Sequence, residues 1–223
     1  MSARHDTSVL VLARAPVAGA VMTHLIPLLG SHGAAALQRS LTEHALAIAR
    51  EADVGPVELW CAPTTEDGFF QACREQFGAS LHRQCGGDLG ARMLDAIEDA
   101  LERAHQVLLI PADCPSLGAA DLRAGARALR EGRDAVLCPA EHGNYLMVGM
   151  THAMPALFEA MPWGSDAVTE ETRQRLRNLG WRWHELPPRW DLHRPEDYHR
   201  LVREGWMAQA GAGRHGPSTN PEK

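Results

Sequence analysis

Short apolar runs alternate with amphipathic stretches through the first half of the chain, and this alternation constrains the fold more than anything else. Ser8–Ala13 reads Ser-Val-Leu-Val-Leu-Ala, a run of the kind buried on both faces of a parallel sheet. Val57–Cys61, Leu81–Gln84 and Gln106–Ile110 read as the next three strands. A helix is predicted over about Gly33–Ala52, where Leu37, Leu41, Ala45 and Ile48 recur at helical spacing, after a Pro- and Gly-rich loop from Arg14 to Gly33. Glu66–Phe77 places Phe70, Cys73 and Phe77 on one face, and Met93, Ile97 and Leu101 mark a third helix. Ala119–Arg130 is a fourth, with Leu122, Ala126 and Leu129. Strands that alternate with helices imply a parallel sheet covered on both faces.

The second half departs from that rhythm. Ala135–Cys138 and Tyr145–Met150 are separated only by the turn Glu141-His142-Gly143-Asn144. No crossover helix fits there, so this pair is predicted antiparallel. The fold class is therefore α/β, a three-layer α/β/α arrangement around a mixed, largely parallel sheet. Beyond it the sequence predicts a short helix over Ala153–Ala160, broken by Met161–Gly164. Ser165 is read as the cap of a helix to about Leu179, closed by Gly180. Trp181–Leu186 and Trp190–Leu192 read as short strands, and Pro195 opens a last helix to about Trp206. The expectation is one domain over 1–207, with Ala208–Lys223, rich in Gly, Pro, Ser and Asn, as a disordered tail.

Composition removes several function classes. Hydrophobic residues make up 45% of the 223 and charged residues 22%, so a packed core is expected. A net charge of -6 with no cationic cluster argues against nucleic-acid binding by phosphate neutralisation. Five cysteines, an odd count without a CxxC pair, argue against a disulfide framework or a zinc ribbon and fit a reducing, cytoplasmic setting. The polar start lacks a signal-peptide core, and no apolar run reaches membrane-spanning length.

The chemistry is expected around Ile110–Leu117, Ile-Pro-Ala-Asp-Cys-Pro-Ser-Leu. An apolar strand here ends in a carboxylate and a proline, and α/β proteins bind ligands outside the carboxyl ends of their strands. Asp113 is thus the first candidate, against the plainer reading that it caps a helix near Pro115. Asp88 reads as the cap of the helix from Leu89, which leaves room for ligand contact at that helix N-terminus. Cys114 has no identifiable base and reads as a buried thiol. Trp181, Trp183, Trp190 and Trp206 mark either a packed C-terminal region or a stacking surface.

Read in order, several blocks resemble a bacterial glycosyltransferase family within the nucleotide-diphospho-sugar transferase (glycosyltransferase type A) superfamily, the type sometimes encoded beside radical-SAM enzymes. They are Ala13–Gly19 with Thr23 and Leu25-Ile26-Pro27; Gln84–Met93; Asp113–Leu117; Pro139–Tyr145 with Pro162-Trp163-Gly164; and Trp190–Tyr198. The resemblance spans about Val9 to Leu201. It implies nucleotide contacts from Arg14, Pro16, Gly19, Thr23, His24, Gln84, Gly86, Gly87, Asp88 and Arg92. It implies catalytic roles for Asp113 and Glu141, with Glu141 as base, and an acceptor pocket at His142, Asn144, Tyr145 and Trp163. A divalent metal, Mn²⁺ or Mg²⁺, would be held by Asp113 and the position of His193, to offset the charge of a diphosphate leaving group. The implied partners are a nucleotide sugar or nucleotide and a small-molecule acceptor; oligomeric state carries no signal.

Four polar positions depart from the family pattern. Met22 and His24 stand where it has cations, and His142 and His193 where it has carboxylates. Three readings stand at this point. The first is a working sugar transferase using Mn²⁺, with Asp191 as a substitute ligand; nucleotidyl transfer to a phosphate-bearing acceptor is disfavoured because it relies on Lys/Arg clamps. The second is an inactive relative that keeps a ligand. The third is a repurposed site in which His24, His142 and His193 gather near Asp113 and take Zn²⁺ or Ni²⁺. Along a regular strand, alternation would place His193 on the face of Asp191.

Overall fold

The computed structural model describes residues 5–206. The tail expected over 208–223 lies outside the described residues. Seven strands form one sheet: β1 (His5–Arg14), β2 (Val57–Ala62), β3 (Ser80–Arg83), β4 (Ala104–Pro111), β5 (Ala135–Pro139), β6 (Tyr145–Met150) and β7 (Trp183–Glu185), in the order β3-β2-β1-β4-β6-β5-β7. The pairs β1–β2, β2–β3, β1–β4 and β5–β7 are parallel. Strand β6 runs antiparallel to both neighbours, β4 and β5, as the short turn before it requires. The sheet is mixed and largely parallel, with helices on both faces.

The helices are α1 (Ile26–Ala52), α2 (Gly68–Phe77), α3 (Leu89–Leu101), α4 (Ala119–Arg130), α5 (Val168–Asn178) and α6 (Pro195–Arg203). On one face Leu46, Ala49, Phe70, Leu122 and Ala126 of α1, α2 and α4 pack on Val9, Val11, Leu59, Leu108 and Val136. On the other, Met93 and Ile97 of α3 and Leu176 of α5 pack on Leu10, Leu109, Leu137 and Val148. Alternate residues of β1 and β4 thus enter opposite cores, which is why both strands are apolar throughout. A third cluster joins Met22, Leu25, Leu37 and Leu41 to Trp190, Leu192 and Leu201, tying the first loop to the last segment.

Several boundaries correct the expectations. The loop predicted to Gly33 ends earlier, because Pro27 sits in the first turn of α1; Gly30, at φ 68 and ψ 166, breaks the helix once before the amphipathic run. The helix expected over Ala153–Ala160 is only a 3-10 turn at Pro155–Leu157. Ser165 does not cap α5: Ala167 does, while the Ser165 hydroxyl donates to the Pro162 carbonyl and accepts from the Ala167 N–H. The strand at Trp181–Leu186 shrinks to Trp183–Glu185, and Trp190–Leu192 is not a strand, its neighbourhood contributing one isolated bridge between Ala140 and Arg189. Asp113 caps no helix; Gly118 is the residue before α4. Asp88 does cap α3, accepting from the Ala91 N–H at 2.8 Å.

Candidate active site

Strand β1 is where the chain reverses its direction across the sheet. From β1 it builds outward through β2 to β3, then returns to the other side of β1 as β4. The crevice at such a switch point is where open α/β sheets bind ligands. A cavity of about 520 Å³ lies there. Leu12, Ala13 and Arg14 enter it from the end of β1, and Pro111, Ala112 and Asp113 from the end of β4. The main-chain ladder reaches its floor: the Ala112 N–H donates to the Leu12 carbonyl at 3.0 Å and the Ala15 N–H to the Ala62 carbonyl at 2.8 Å.

One wall comes from β1, the loop after β3 and α3. Gln84 is fixed there, its Nε2 donating to the Ala13 and Trp60 carbonyls at 2.9 and 2.7 Å. Arg92 donates from Nε to the Asp88 carbonyl at 3.1 Å. Among the described residues neither Arg14 nor Arg92 meets a carboxylate. Gly86, at φ 126, lies so close to the start of α3 that a Cβ would meet the Ala91 and Arg92 backbone at about 2.8 Å. That close approach sets the loop against the helix N-terminus.

The opposite wall comes from irregular chain. The turn before β6 contributes Asn144 and Tyr145, the loop before α5 contributes Trp163 and Gly164, and the segment before α6 contributes Asp191, Leu192 and His193. Gly143, at φ 82, lets this turn lie on the Asp166 backbone, where a side chain would collide. Thr169 then donates to the Gly143 and Asn144 carbonyls, from N–H at 2.8 Å and from Oγ1 at 2.6 Å. Tyr145 and Trp163 meet edge to face, 6.1 Å apart at 80°. Burial pushes the Tyr145 phenol well above its ordinary range, so it stays protonated.

Two carboxyl groups face this space. Burial, then the Asp191 charge, pushes Asp113 up to about 6. Burial likewise raises Asp191, against the opposing pull of His193. Asp191 Oδ1 is buried with no hydrogen-bond partner. Asp191 and His193 both reach the cavity, sharing a side as expected, although Trp190–Leu192 is not a strand and Leu192 between them lines the cavity too. His24 bonds through Nε2 to the Leu192 carbonyl at 2.9 Å, so that nitrogen carries the proton. His142 stacks on His193 with ring centres 5.7 Å apart, and its Nε2 lies 3.7 Å from Asp197 Oδ1.

The site residues named from sequence thus divide. Arg14, His24, Gln84, Arg92, Asp113, Asn144, Tyr145, Trp163 and His193 line one cavity. Pro16, Gly19, Thr23, Gly86, Gly87 and Asp88 lie on its flanking loops and do not line it. Glu141 lies outside the lining, exposed, with its Oε2 accepting from Arg200 Nη1 at 2.8 Å. His142 stands behind His193. Met22 is turned into the third cluster, 8% exposed, away from the cavity. Trp181 and Trp183 pack against the second core, while Trp190 and Trp206 join the third cluster, so none of the four lines the cavity.

Sequence reasoning missed Gln38, 7% exposed on α1 and part of the lining. Its signal was a polar residue inside the apolar stripe of that helix. Among the described residues, one set of three side chains has its ligand atoms within 4.8 Å of one another: Glu58, His82 and Asp99. Arg103 Nη2 already bridges its two carboxylates, at 3.0 and 2.7 Å.

A family model described as an uncharacterized protein conserved in bacteria, DUF2064, matches residues 45–165. No curated protein matches the chain in sequence. Among solved structures, a provisionally named nucleotide-diphospho-sugar transferase from Desulfovibrio desulfuricans G20 superposes with a TM-score of 0.77 at 23% identity, over 85% of this chain and 83% of that one. A 4-diphosphocytidyl-2C-methyl-D-erythritol synthase from Anaerococcus prevotii gives a TM-score of 0.60 at 11% identity, over 92% and 99%. A CMP:2-keto-3-deoxy-manno-octonic acid synthetase in complex with CTP gives 0.55 at 15%, over 92% and 99%. The α/β architecture is thus shared with structures of transferases of nucleotides and nucleotide sugars, and the chain, matched over more than half its length, belongs to the DUF2064 family.

Proposed function

We propose that the protein is a single-domain transferase that moves a sugar from a nucleotide-diphosphate donor to a small-molecule acceptor with the help of a divalent metal. One observation carries the reading: two guanidinium groups without carboxylate partners, Arg14 and Arg92, line the same cavity as the carboxyl pair Asp113 and Asp191. The arginines suit a diphosphate, whose oxygens accept charge-assisted hydrogen bonds. The N-terminus of α3 and the Gly86-Gly87 loop add backbone donors on the same side. The relatives named for nucleotides and nucleotide sugars support this assignment of the donor.

The carboxyl pair fits a hard divalent cation. Asp191 Oδ1 is buried and unpartnered, and burial raises the proton affinity of both acids, that of Asp113 further through the Asp191 charge, a cost that a cation between them would offset. Mg²⁺ and Mn²⁺ sites of this kind use one or two protein carboxylates and are completed by phosphate oxygens and water. Asp113 and Asp191 would hold the ion, which supplies charge to stabilise the departing diphosphate. His193 is then free to accept the proton of the acceptor hydroxyl at its imidazole. Arg14 and Arg92 orient the donor, and Tyr145 and Trp163 exclude water behind the acceptor. Five unpaired cysteines support a reducing, cytoplasmic setting.

Thermal shift against UDP, GDP, ADP, CDP, dTDP and their sugar conjugates, with and without Mn²⁺, tests the reading. A rise in Tm that needs both nucleotide and Mn²⁺ is expected, followed by nucleoside diphosphate release when an acceptor is added. No response to any of these nucleotides under any metal sinks it. Pyrophosphate release from a nucleoside triphosphate would replace it with nucleotidyl transfer.

A further inference from the structure

Both walls of the cavity can be read for charge, and they differ in kind. The cations of the lining other than histidine are Arg14 and Arg92, both on the wall of β1 and α3. The acceptor wall, Asn144, Tyr145, Leu146, Trp163 and Gly164, contributes none. Four arginines of that half of the molecule are committed elsewhere, and Arg194 and Arg203 do not line the cavity. Arg189 makes a two-point contact with Asp121 at 2.6 and 3.0 Å. Arg173 does the same with Glu185 at 2.8 and 2.9 Å. Arg175 binds Glu171 together with the Ala156 and Glu159 carbonyls, and Arg200 is shared between Glu141 and Glu204. No lysine can swing in among the described residues, since the single lysine of the sequence is Lys223. The nearby imidazoles are engaged with other groups. His193 faces Asp191, His142 lies beside Asp197, and the proton of His24 Nε2 is given to the Leu192 carbonyl.

What the acceptor wall does offer is neutral. The Asn144 carboxamide and the Tyr145 hydroxyl have no hydrogen-bond partner among the described residues, and both residues line the cavity. Beside them the edge-to-face pair of Tyr145 and Trp163 gives an aromatic surface. Trp163 is a fixed platform, because its indole nitrogen lies where a Cβ on Gly90 of α3 would be only 2.8 Å away. A polyhydroxylated ring lies against aromatic surface and exchanges hydrogen bonds with an amide and a phenol. A phosphate-bearing molecule in the same place would find no side-chain cation on its own wall, since Arg14 and Arg92 stand on the other wall and a metal at Asp113 and Asp191 would be shared with the donor diphosphate.

We infer that the acceptor of this cavity is an uncharged, hydroxyl-bearing ring compound seated on Tyr145 and Trp163, and not a phosphorylated one. The inference rests on the transferase reading only for the word acceptor; the ligand chemistry follows from the wall itself.

A matched pair of probes tests it: phenyl β-D-glucoside and its 6-phosphate, titrated by calorimetry into the full chain with Mn²⁺ and each of UDP and GDP. The neutral glycoside should bind at least about tenfold tighter than the 6-phosphate. Trp163→Ala should weaken the glycoside about tenfold and Tyr145→Phe about threefold, in variants whose Tm shows them folded. Asn144→Arg should narrow or invert the preference, which loss of fold cannot do. Equal or tighter binding of the 6-phosphate overturns the inference. So does the absence of glycoside binding while a nucleoside diphosphate still raises Tm, an outcome that leaves the transferase reading standing. Glycoside binding without any nucleotide response supports the inference and removes that reading instead.

Discussion

The donor wall and the acceptor wall share one sheet but are built by different means. Arg14 ends β1, Gln84 follows β3 and Arg92 lies in the first turn of α3, so the donor wall hangs on regular elements. Asn144, Trp163, Asp191 and His193 stand on irregular chain held by distant partners: Thr169 for the turn, Gly90 beneath the indole, Leu25 and Leu37 around Leu192. The donor wall is cationic and pre-set by the sheet. The acceptor wall is neutral to anionic, and its shape depends on packing between segments far apart in sequence. A fold of this kind can keep its nucleotide side while the other side changes its ligand.

The largest effect is expected where the walls meet. Asp113→Asn should lower transfer at least about a hundredfold, the scale on which loss of a transition-state charge stabiliser is felt. It should also abolish the Mn²⁺-dependent part of the thermal shift while the variant remains folded. Turnover within tenfold of the native rate would remove Asp113 from the chemistry and break the division of the cavity at its centre.

A smaller effect tests the donor wall alone. Arg14→Ala and Arg92→Ala should each weaken a nucleoside diphosphate about tenfold or more, since hydrogen bonds to charged groups contribute roughly 1.5–3 kcal/mol. Neither should change binding of the corresponding nucleoside or of the phenyl glucoside. Calorimetry separates these cases. Equal losses for nucleoside and nucleoside diphosphate would mean that the arginines shape the wall instead of binding phosphate.

The pH dependence of stability reports on the carboxyl pair. The folded-state value for Asp113, about 6, stands above the ordinary 3.8. Between these values the native state holds a proton that the unfolded chain has lost, so stability falls as pH rises through that window. The contribution is whole below about pH 4 and gone above about pH 6. Asp113→Asn never loses it, so its Tm should exceed the native Tm by several degrees at pH 8, from about 2–3 kcal/mol, and by little at pH 4. Mn²⁺ should close the gap at pH 8. A constant difference across that range would mean that burial and the Asp191 charge do not raise Asp113.

Much of this was legible in the sequence, and the same contrast explains what was not. Val-Leu-Val-Leu in β1 and Val-Leu-Leu-Ile in β4 announce strands buried on both faces, and the short turn between β5 and β6 excludes a crossover. Asp113 follows because it sits at the end of an apolar strand, where orientation is set locally, whereas Arg14 and Arg92 are implied only by the family resemblance. Asp191 was harder. Alternation along a strand places Asp191 and His193 on one face, as found, but not Leu192 in the same cavity; Trp190 is held by the Ser116 hydroxyl at both its N–H and its carbonyl, and the chain there follows that contact instead of a strand. Periodicity carries no record of a contact 74 residues distant. Met22 is similar: its place in the family pattern points to phosphate, while its apolar side chain is drawn into the cluster around Trp190.

The smallest effect is expected at Glu141, and it bears on where the acceptor wall ends. The resemblance implies a base at this position, yet its carboxylate is exposed and held by Arg200, whose guanidinium lies 4.6 Å from the Trp190 ring centre. An exposed pair of this kind contributes within about 1 kcal/mol. Glu141→Gln should therefore change Tm by no more than a few degrees and transfer by no more than about threefold. His193→Ala should cost far more in kcat than in acceptor KM, a split that Glu141→Gln should not show. If Glu141→Gln instead lowers kcat a hundredfold with Tm unchanged, Arg200 releases the carboxylate during turnover. The acceptor wall then extends past Asn144 to include the turn that the structure holds outside it.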